Sequence, residues 1–293
     1  MSTDNQHPPA TLLIDLGNSR LKAGWVQLDS GTRESSLFAA DYTDADTLHA
    51  WLESQAIRPV AAIGSIVASS MQAGVIETML DRYYGIQPHW LPSQHRTLDL
   101  VNLYSQPAQL GADRWAGMLG LPQHAPDAHT PLLLASFGTA TTIDIICPAG
   151  TAAAQGLGIA AGEPVHHWLF EGGLILPGPA LMRTSLNRHT ARLPAAQGLA
   201  ADFPDNTDQA IVSGIAAAQS GALLRQWQTG LARYGRAPRV FCTGGGWPLV
   251  ADELQRALAR AQHQCGADLV PALPLRSPIL DGLARLAHHG VKP

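Results

Sequence analysis

No apolar run in this sequence approaches the roughly 20 residues that a membrane span needs. Its opening stretch, Met1 to Ala10, is polar and contains Pro8 and Pro9. It lacks the basic start and apolar core of a secretory leader, so a cytoplasmic protein outside any membrane is expected. Cysteine is scarce. Cys147, Cys242 and Cys265 are widely spaced, odd in number and without CxxC or Cys/His metal spacing. This excludes a disulfide scaffold and a zinc finger and suits a reducing compartment. Each cysteine lies in or beside an apolar segment and reads as a small buried side chain. A surplus of basic charge is missing too: 19 Lys and Arg face 23 Asp and Glu, a formal net charge of −4, with no basic run. Binding to a nucleic-acid backbone needs a basic surface, so no nucleic-acid partner is expected.

What is present describes a globular chain. A hydrophobic share of 46% against 14% charged residues is that of a folded protein. The length of 293 residues allows two cores or one large one, since single cores stop growing near about 250–300 residues. Leu12-Leu13-Ile14 reads as a buried strand that Gly17-Asn18-Ser19 interrupts, and a second strand follows from about Leu21 to Leu28. Helices are predicted over Asp44 to Gln55, Gln72 to Tyr84 and around Leu110 to Leu121, with a strand over Val60 to Val67. Pro131 to Leu134 opens a further strand, which meets Gly138-Thr139 and resumes from Thr141 to Cys147. Gly156 to Gly162 is a glycine-rich connection, and Gly172 to Gly178 leads into a helix with Pro177 in its first turn. Helices are predicted over Ala210 to Arg233, Pro248 to Gln262 and Ser277 to His288, the last capped by Ser277, and a strand over Arg239 to Cys242. Strands alternating with helices make an α/β protein.

Two segments repeat one pattern. Leu12-Leu13-Ile14-Asp15-Leu16-Gly17-Asn18 parallels Leu133-Leu134-Ala135-Ser136-Phe137-Gly138-Thr139. Each is an apolar strand ending in a glycine turn, followed by polar residues and a second strand. This suggests two halves of like topology, 11–122 and 131–290, joined by the proline-containing stretch Pro122 to Thr130. A strand followed by glycine is also common in α/β proteins, so the pattern alone leaves the duplication open.

Four elements have the residue types of a phosphoryl-transfer site. In Asp15-Leu16-Gly17-Asn18-Ser19-Arg20-Leu21-Lys22, Gly17 permits a tight turn whose N–H groups suit an anion. Lys22 supplies a point charge for a phosphate, and Asp15 can hold Mg²⁺ directly or through water. An ordinary hairpin would look the same. Gly138-Thr139-Ala140-Thr141-Thr142 presents hydroxyls and backbone donors, although threonine's strand preference accounts for it equally. In Gly111-Ala112-Asp113-Arg114, a carboxylate can accept an alcohol's proton and a guanidinium can grip an anionic group, or the two form a surface pair. Glu171-Gly172-Gly173 through Gly178 allows close approach of backbone to a ligand, or is a plain turn.

Taken in order, these elements resemble the type III pantothenate kinases. The likeness runs through D-x-G-N-[ST]-x-x-K at Asp15 to Lys22, Tyr104 and Pro107, and Gly111 to Arg114. It continues through Gly138 to Asp144, Gly172 to Gly178, Thr190 to Pro194, Asn206-Thr207 and Thr243-Gly244-Gly245. The resemblance implies an actin/hexokinase-like α/β fold of two RNase H-like halves with a ligand cleft between them. It implies ATP-dependent phosphorylation of pantothenate, with Asp15, Leu16, Gly17, Asn18, Ser19, Arg20, Leu21, Lys22 and Thr139 contacting ATP and Asp15 its Mg²⁺. Tyr104, Gly111, Ala112, Asp113 and Arg114 would line the pantothenate pocket, with Asp113 as general base. Thr207 would contact the substrate from a partner subunit, the family being dimeric, and Thr190 would lie nearby. Many members use a monovalent cation, K⁺ or NH₄⁺, bound through an aspartate where this chain has Ser136, so that site is in question; Asp144 reads as an ordinary strand residue or as a metal-binding carboxylate of the same half. The histidines, His166, His167 and His189 among them, lack metal-ligand spacing, and the tryptophans read as core or interface residues. Gly214 beside Ala216-Ala217-Ala218 would let two helices approach closely, in a dimer contact or in internal packing equally. Two other functions fit: a kinase of the same fold with another small acceptor, and a nucleotide-regulated accessory protein in gene expression.

Overall fold

The computed structural model describes residues 7–41, 45–150, 167–189 and 198–290. The connection at Gly156 to Gly162, His166 and the segment from Thr190 to Pro194 lie outside the described residues, as does the side chain of His189. The chain forms two units. The first comprises Met1–Leu98, Ser105–Leu121 and Ser277–Pro293, the second Asp99–Tyr104 and Pro122–Arg276.

The first unit contains strands β1 (Pro9–Leu16), β2 (Leu21–Val26), β3 (Phe38–Ala40), β4 (Arg58–Ile66), β5 (Pro88–Trp90) and the two-residue β6 (Arg96–Thr97). Its helices are α1 (Ala45–Ser54), α2 (Ser70–Tyr84), α3 (Ala112–Gly120) and, numbered in chain order, α7 (Pro278–His288). The sheet order is β3-β2-β1-β4-β5, with β1 antiparallel to β2 and parallel to β4. Every β1 residue from Ala10 to Leu16 is buried, as expected of a central strand covered on both faces. Leu12, Ile14 and Leu16 share a core with Leu48 and Leu52 of α1 and Ile76 and Leu80 of α2. Helix α2 begins with a reciprocal cap: the Gln72 amide donates to the Ser69 hydroxyl, and the Ser69 amide donates to the Gln72 side chain. Ser69→Ala should therefore lower stability by about 1 kcal/mol, read as a lower urea midpoint with unchanged slope.

Helix α7 packs on α3 and on β1. This departs from the contiguous stretch 131–290, because the apolar face of α7 (Leu280, Leu283, Leu286) is buried in the first unit. The helices meet at two glycines. A Cβ on Gly282 would overlap the Ala116 carbonyl oxygen, and one on Gly120 would overlap that of Pro278. Ser277 occupies the N-cap of α7 as expected but makes no side-chain capping bond.

The second unit contains β7 (Leu100–Asn102), β8 (Leu132–Phe137), β9 (Ala140–Pro148), β10 (Trp168–Pro177), β11 (Arg239–Thr243) and β12 (Leu273–Pro274). Its helices are α4 (Pro179–His189), α5 (Thr207–Tyr234) and α6 (Trp247–Gln264). The strands run β12-β11-β8-β9-β10-β7, with β8-β9-β10 antiparallel and β11 parallel to β8. Numbered from its own first long strand, this sheet repeats the 3-2-1-4-5 order of the first unit, so both are RNase H-like. The matched strand–glycine–strand segments are the first hairpin of each.

Three local expectations are corrected. Pro177 does not open a helix; it ends β10 opposite Ala140, and α4 starts at Pro179. The strand continues that far because Gly178 lies against the Gly138–Thr139 turn, its N–H donating to the Thr139 carbonyl at 2.9 Å. Cys265 is exposed at the end of α6, whereas Cys147 and Cys242 are buried as expected. Among the described residues nothing lies within 4 Å of a Cβ on Gly214, so none of their helices packs there; the close approach on α5 is at Gly230, against Ile145 of β9. Among the described residues no helix is long and apolar enough to cross a membrane. Trp25, Trp115, Trp168 and Trp227 are core residues.

Candidate active site

The first unit brings together two carboxylates. Asp15 lies at the end of β1, 4% exposed, opposite Lys22 on β2 and Ser65 on β4. Lys22 Nζ is 3.5 Å from Asp15 Oδ2, and the Ser65 hydroxyl donates to Oδ1 at 3.4 Å. Burial raises the Asp15 pKa, Lys22 opposes that rise, and the nearby charge of Asp113 adds to it. A buried carboxylate with a second one close by favours a cation: Mg²⁺ takes hard oxygen ligands and needs few from the protein. The donor set thus fits Mg²⁺ carried by a nucleotide, while no cluster of three or more His, Cys, Asp or Glu exists among the described residues to hold a metal alone.

The turn between β1 and β2 is closed by the Gly17 N–H donating to the Arg20 carbonyl at 3.2 Å. Asn18, Ser19 and Arg20 are exposed on it. Leu16 and Leu21 face each other across the turn with buried side chains, so only their backbones are available to a ligand.

Asp113 is in the first turn of α3. Its Oδ1 accepts the Arg114 N–H at 2.8 Å, which orients the carboxylate at the helix start. This placement explains the neighbouring glycine: a Cβ on Gly111 would stand 2.6 Å from Asp113 Oδ1. Ala112 adds no bulk, and Arg114 is buried and partnered. The motif is therefore one local structure, a helix N-terminus that accommodates a carboxylate folded back over a glycine.

The second unit holds the remaining candidates. Gly138 and Thr139 form the turn between β8 and β9, with the Gly138 N–H donating to the Ala140 carbonyl at 3.0 Å. Thr139 is exposed there. Ser136 lies opposite Thr142 on one neighbouring strand and Thr243 on the other, three hydroxyls in register without a carboxylate. Asp144, on β9, is buried and has an interaction partner. Tyr104 follows β7, its N–H bonded to the buried Asn102 side chain and its ring 5.3 Å from that of Phe170. Thr207 is exposed at the first turn of α5, next to the Asn206 cap.

Ser65 and Asn102, both fully buried, were not among the sequence candidates. Ser65 is the penultimate residue of β4 and Asn102 the last of β7, and each holds a site residue. Their only sequence signal is a lone polar side chain in an apolar run, and what it pairs with depends on which strands become neighbours.

The sequence matches the family model described as type III pantothenate kinase over residues 11–229. It is similar to the type III pantothenate kinase of Bordetella bronchiseptica, 48% identical over 281 residues, 95% of this chain and 98% of that one. The type III pantothenate kinase of Bordetella petrii is 48% identical over 276 residues, 94% of this chain and 96% of that one. Among solved structures, a ROK family glucokinase from Streptomyces griseus has a TM-score of 0.45 and 15% identity, over 96% of this chain and 100% of that one.

Proposed function

We propose a division of labour among these residues from the premise that the chain belongs to the type III pantothenate kinase family. Its reaction transfers a phosphoryl group from ATP to pantothenate, which yields 4'-phosphopantothenate and opens coenzyme A biosynthesis. The observation that carries the assignment is the pairing, in one unit, of buried Asp15 and its Lys22 with Asp113 close enough to perturb it.

Asp113 acts as the general base. With Oδ1 held by the Arg114 N–H, its other oxygen takes the proton of the primary hydroxyl of pantothenate as that hydroxyl attacks phosphorus. The transition state is loose, so orienting the alcohol matters more than the strength of the base. Lys22 leaves Asp15 to neutralise phosphate charge, and the turn residues Gly17 to Arg20 hold phosphate oxygens; Thr139, in the second unit, is likewise assigned to ATP. Mg²⁺ held through Asp15 would supply charge neutralisation on the phosphates. In the first unit Gly111, Ala112 and Arg114 line the pantothenate pocket, with Arg114 facing the substrate carboxylate; Tyr104, in the second unit, is assigned to the same substrate. Thr207, exposed on its own chain, completes that pocket in a homodimer. A K⁺ or NH₄⁺ ion at Ser136 would meet a neutral hydroxyl there, flanked in register by Thr142 and Thr243, so weak binding is expected.

The test is ADP release with and without pantothenate, repeated with K⁺ replaced by Na⁺. Release that depends on pantothenate and is only slightly sensitive to the exchange supports the reading; release indifferent to pantothenate sinks it. Lys22→Ala should raise the ATP KM about 10- to 100-fold, the range for losing one charge-assisted hydrogen bond. An unchanged ATP KM and kcat would remove Lys22 from the site.

A further inference from the structure

Strand β10 is not regular. Phe170 pairs with Ile146 and Gly172 with Ile145, so Glu171 is an extra residue bulged out of the ladder. The bulged side chain turns to the last residues of α5: Oε1 accepts the Tyr234 hydroxyl at 3.0 Å, and Oε2 lies 3.2 Å from Arg233 Nη2. Residues on both sides of the bulge touch Tyr104. Its ring lies on Phe170, and its Cε1 stands 3.8 Å from where a Cβ on Gly172 would be. Gly172 has φ +146, a conformation open in practice to glycine alone.

We propose that Glu171 is a positioning residue for pantothenate recognition: it pins the β10 bulge to the end of α5 and so holds the surface on which Tyr104 rests. The inference depends on Tyr104 lining the pantothenate pocket, as assigned above. A bulge needs such a pin because sheet register can slip by one residue, and a one-residue slip exchanges the two faces of the strand. Here the slip would bring the Glu171 side chain, in place of the bare Gly172 backbone, under the Tyr104 ring. The Arg233 pair is half-exposed and contributes little. The partly buried Tyr234 hydroxyl is the stronger anchor, and burial keeps it a proton donor by pushing its pKa well up.

The experiment measures kcat, both KM values and Tm for Glu171→Ala, Glu171→Gln, Tyr234→Phe and Tyr104→Ala. Glu171→Ala and Tyr234→Phe should raise the pantothenate KM by about 5- to 10-fold, with kcat and the ATP KM within about two-fold of wild type. Glu171→Gln, still able to accept the Tyr234 hydroxyl, should recover most of that loss. An unchanged pantothenate KM in Glu171→Ala overturns the proposal, as does a general failure in which kcat and Tm fall while both KM values rise. Tyr104→Ala separates the two failures. If it raises the pantothenate KM while Glu171→Ala does not, the positioning role alone is wrong. If Tyr104→Ala has no effect, the pocket assignment is wrong and the proposal falls with it.

Discussion

Asp113→Asn should lower kcat by at least about 100-fold, at the low end of the range for removing a general base. The low end is expected because a loose phosphoryl transition state asks more of positioning than of base strength. The substitution is nearly isosteric, and an amide oxygen can still accept the Arg114 N–H that orients the carboxylate. Folding and pantothenate KM should therefore change little, which separates chemistry from structure in the readout. A secondary effect is expected at Asp15: with the Asp113 charge gone, one of the causes that raise its pKa is removed. A steady-state assay of ADP release, with Tm measured alongside, decides the matter. Turnover within a few-fold of wild type would mean that another group takes the proton.

Gly282→Val should be the most damaging single change away from the site. At Gly282 the backbone of α7 lies directly against the Ala116 carbonyl of α3, and any side chain must push the helices apart. Overpacking of this kind costs about 1–3 kcal/mol and sometimes more. Asp113 is in the first turn of α3, so displacing the helix should reduce activity as well as stability. Gly214→Ala is the matched control. Nothing within 4 Å would meet its Cβ, and replacing a mid-helix glycine by alanine gains roughly 0.5–1 kcal/mol. Thermal melts should show Gly282→Val well below wild type and Gly214→Ala at or above it. Equal melting of the two variants would show that α3 and α7 do not cross as described.

The glycine positions illustrate what can be read from a chain of letters. Gly17 and Gly138 were recognisable as turns because an apolar strand precedes each and another follows, a local pattern. Gly172 and Gly173 looked equally like a turn but lie inside β10, where a bulge and its partners on α5 accommodate them. A Cβ on Gly214 would meet nothing among the described residues, whereas Gly230 on the same helix lies against Ile145 of strand β9, a distinction that the local sequence does not carry. The short strands β3, β5 and β7 were missed because three residues carry too little periodicity to register.

The sequence by itself determined the α/β class, the two strand–glycine–strand openings and the identity of Asp15, Lys22, Asp113 and Thr139 as candidates. These follow from alternation, glycine and residue chemistry over a few neighbouring positions. Only the tertiary structure decided that Ser65, 50 residues away, holds Asp15, that Asp113 lies near enough to perturb it, and that the last helix joins the first unit. The reason is physical: an apolar face specifies that a segment must be buried, but the partner that buries it is selected by packing among all the segments at once.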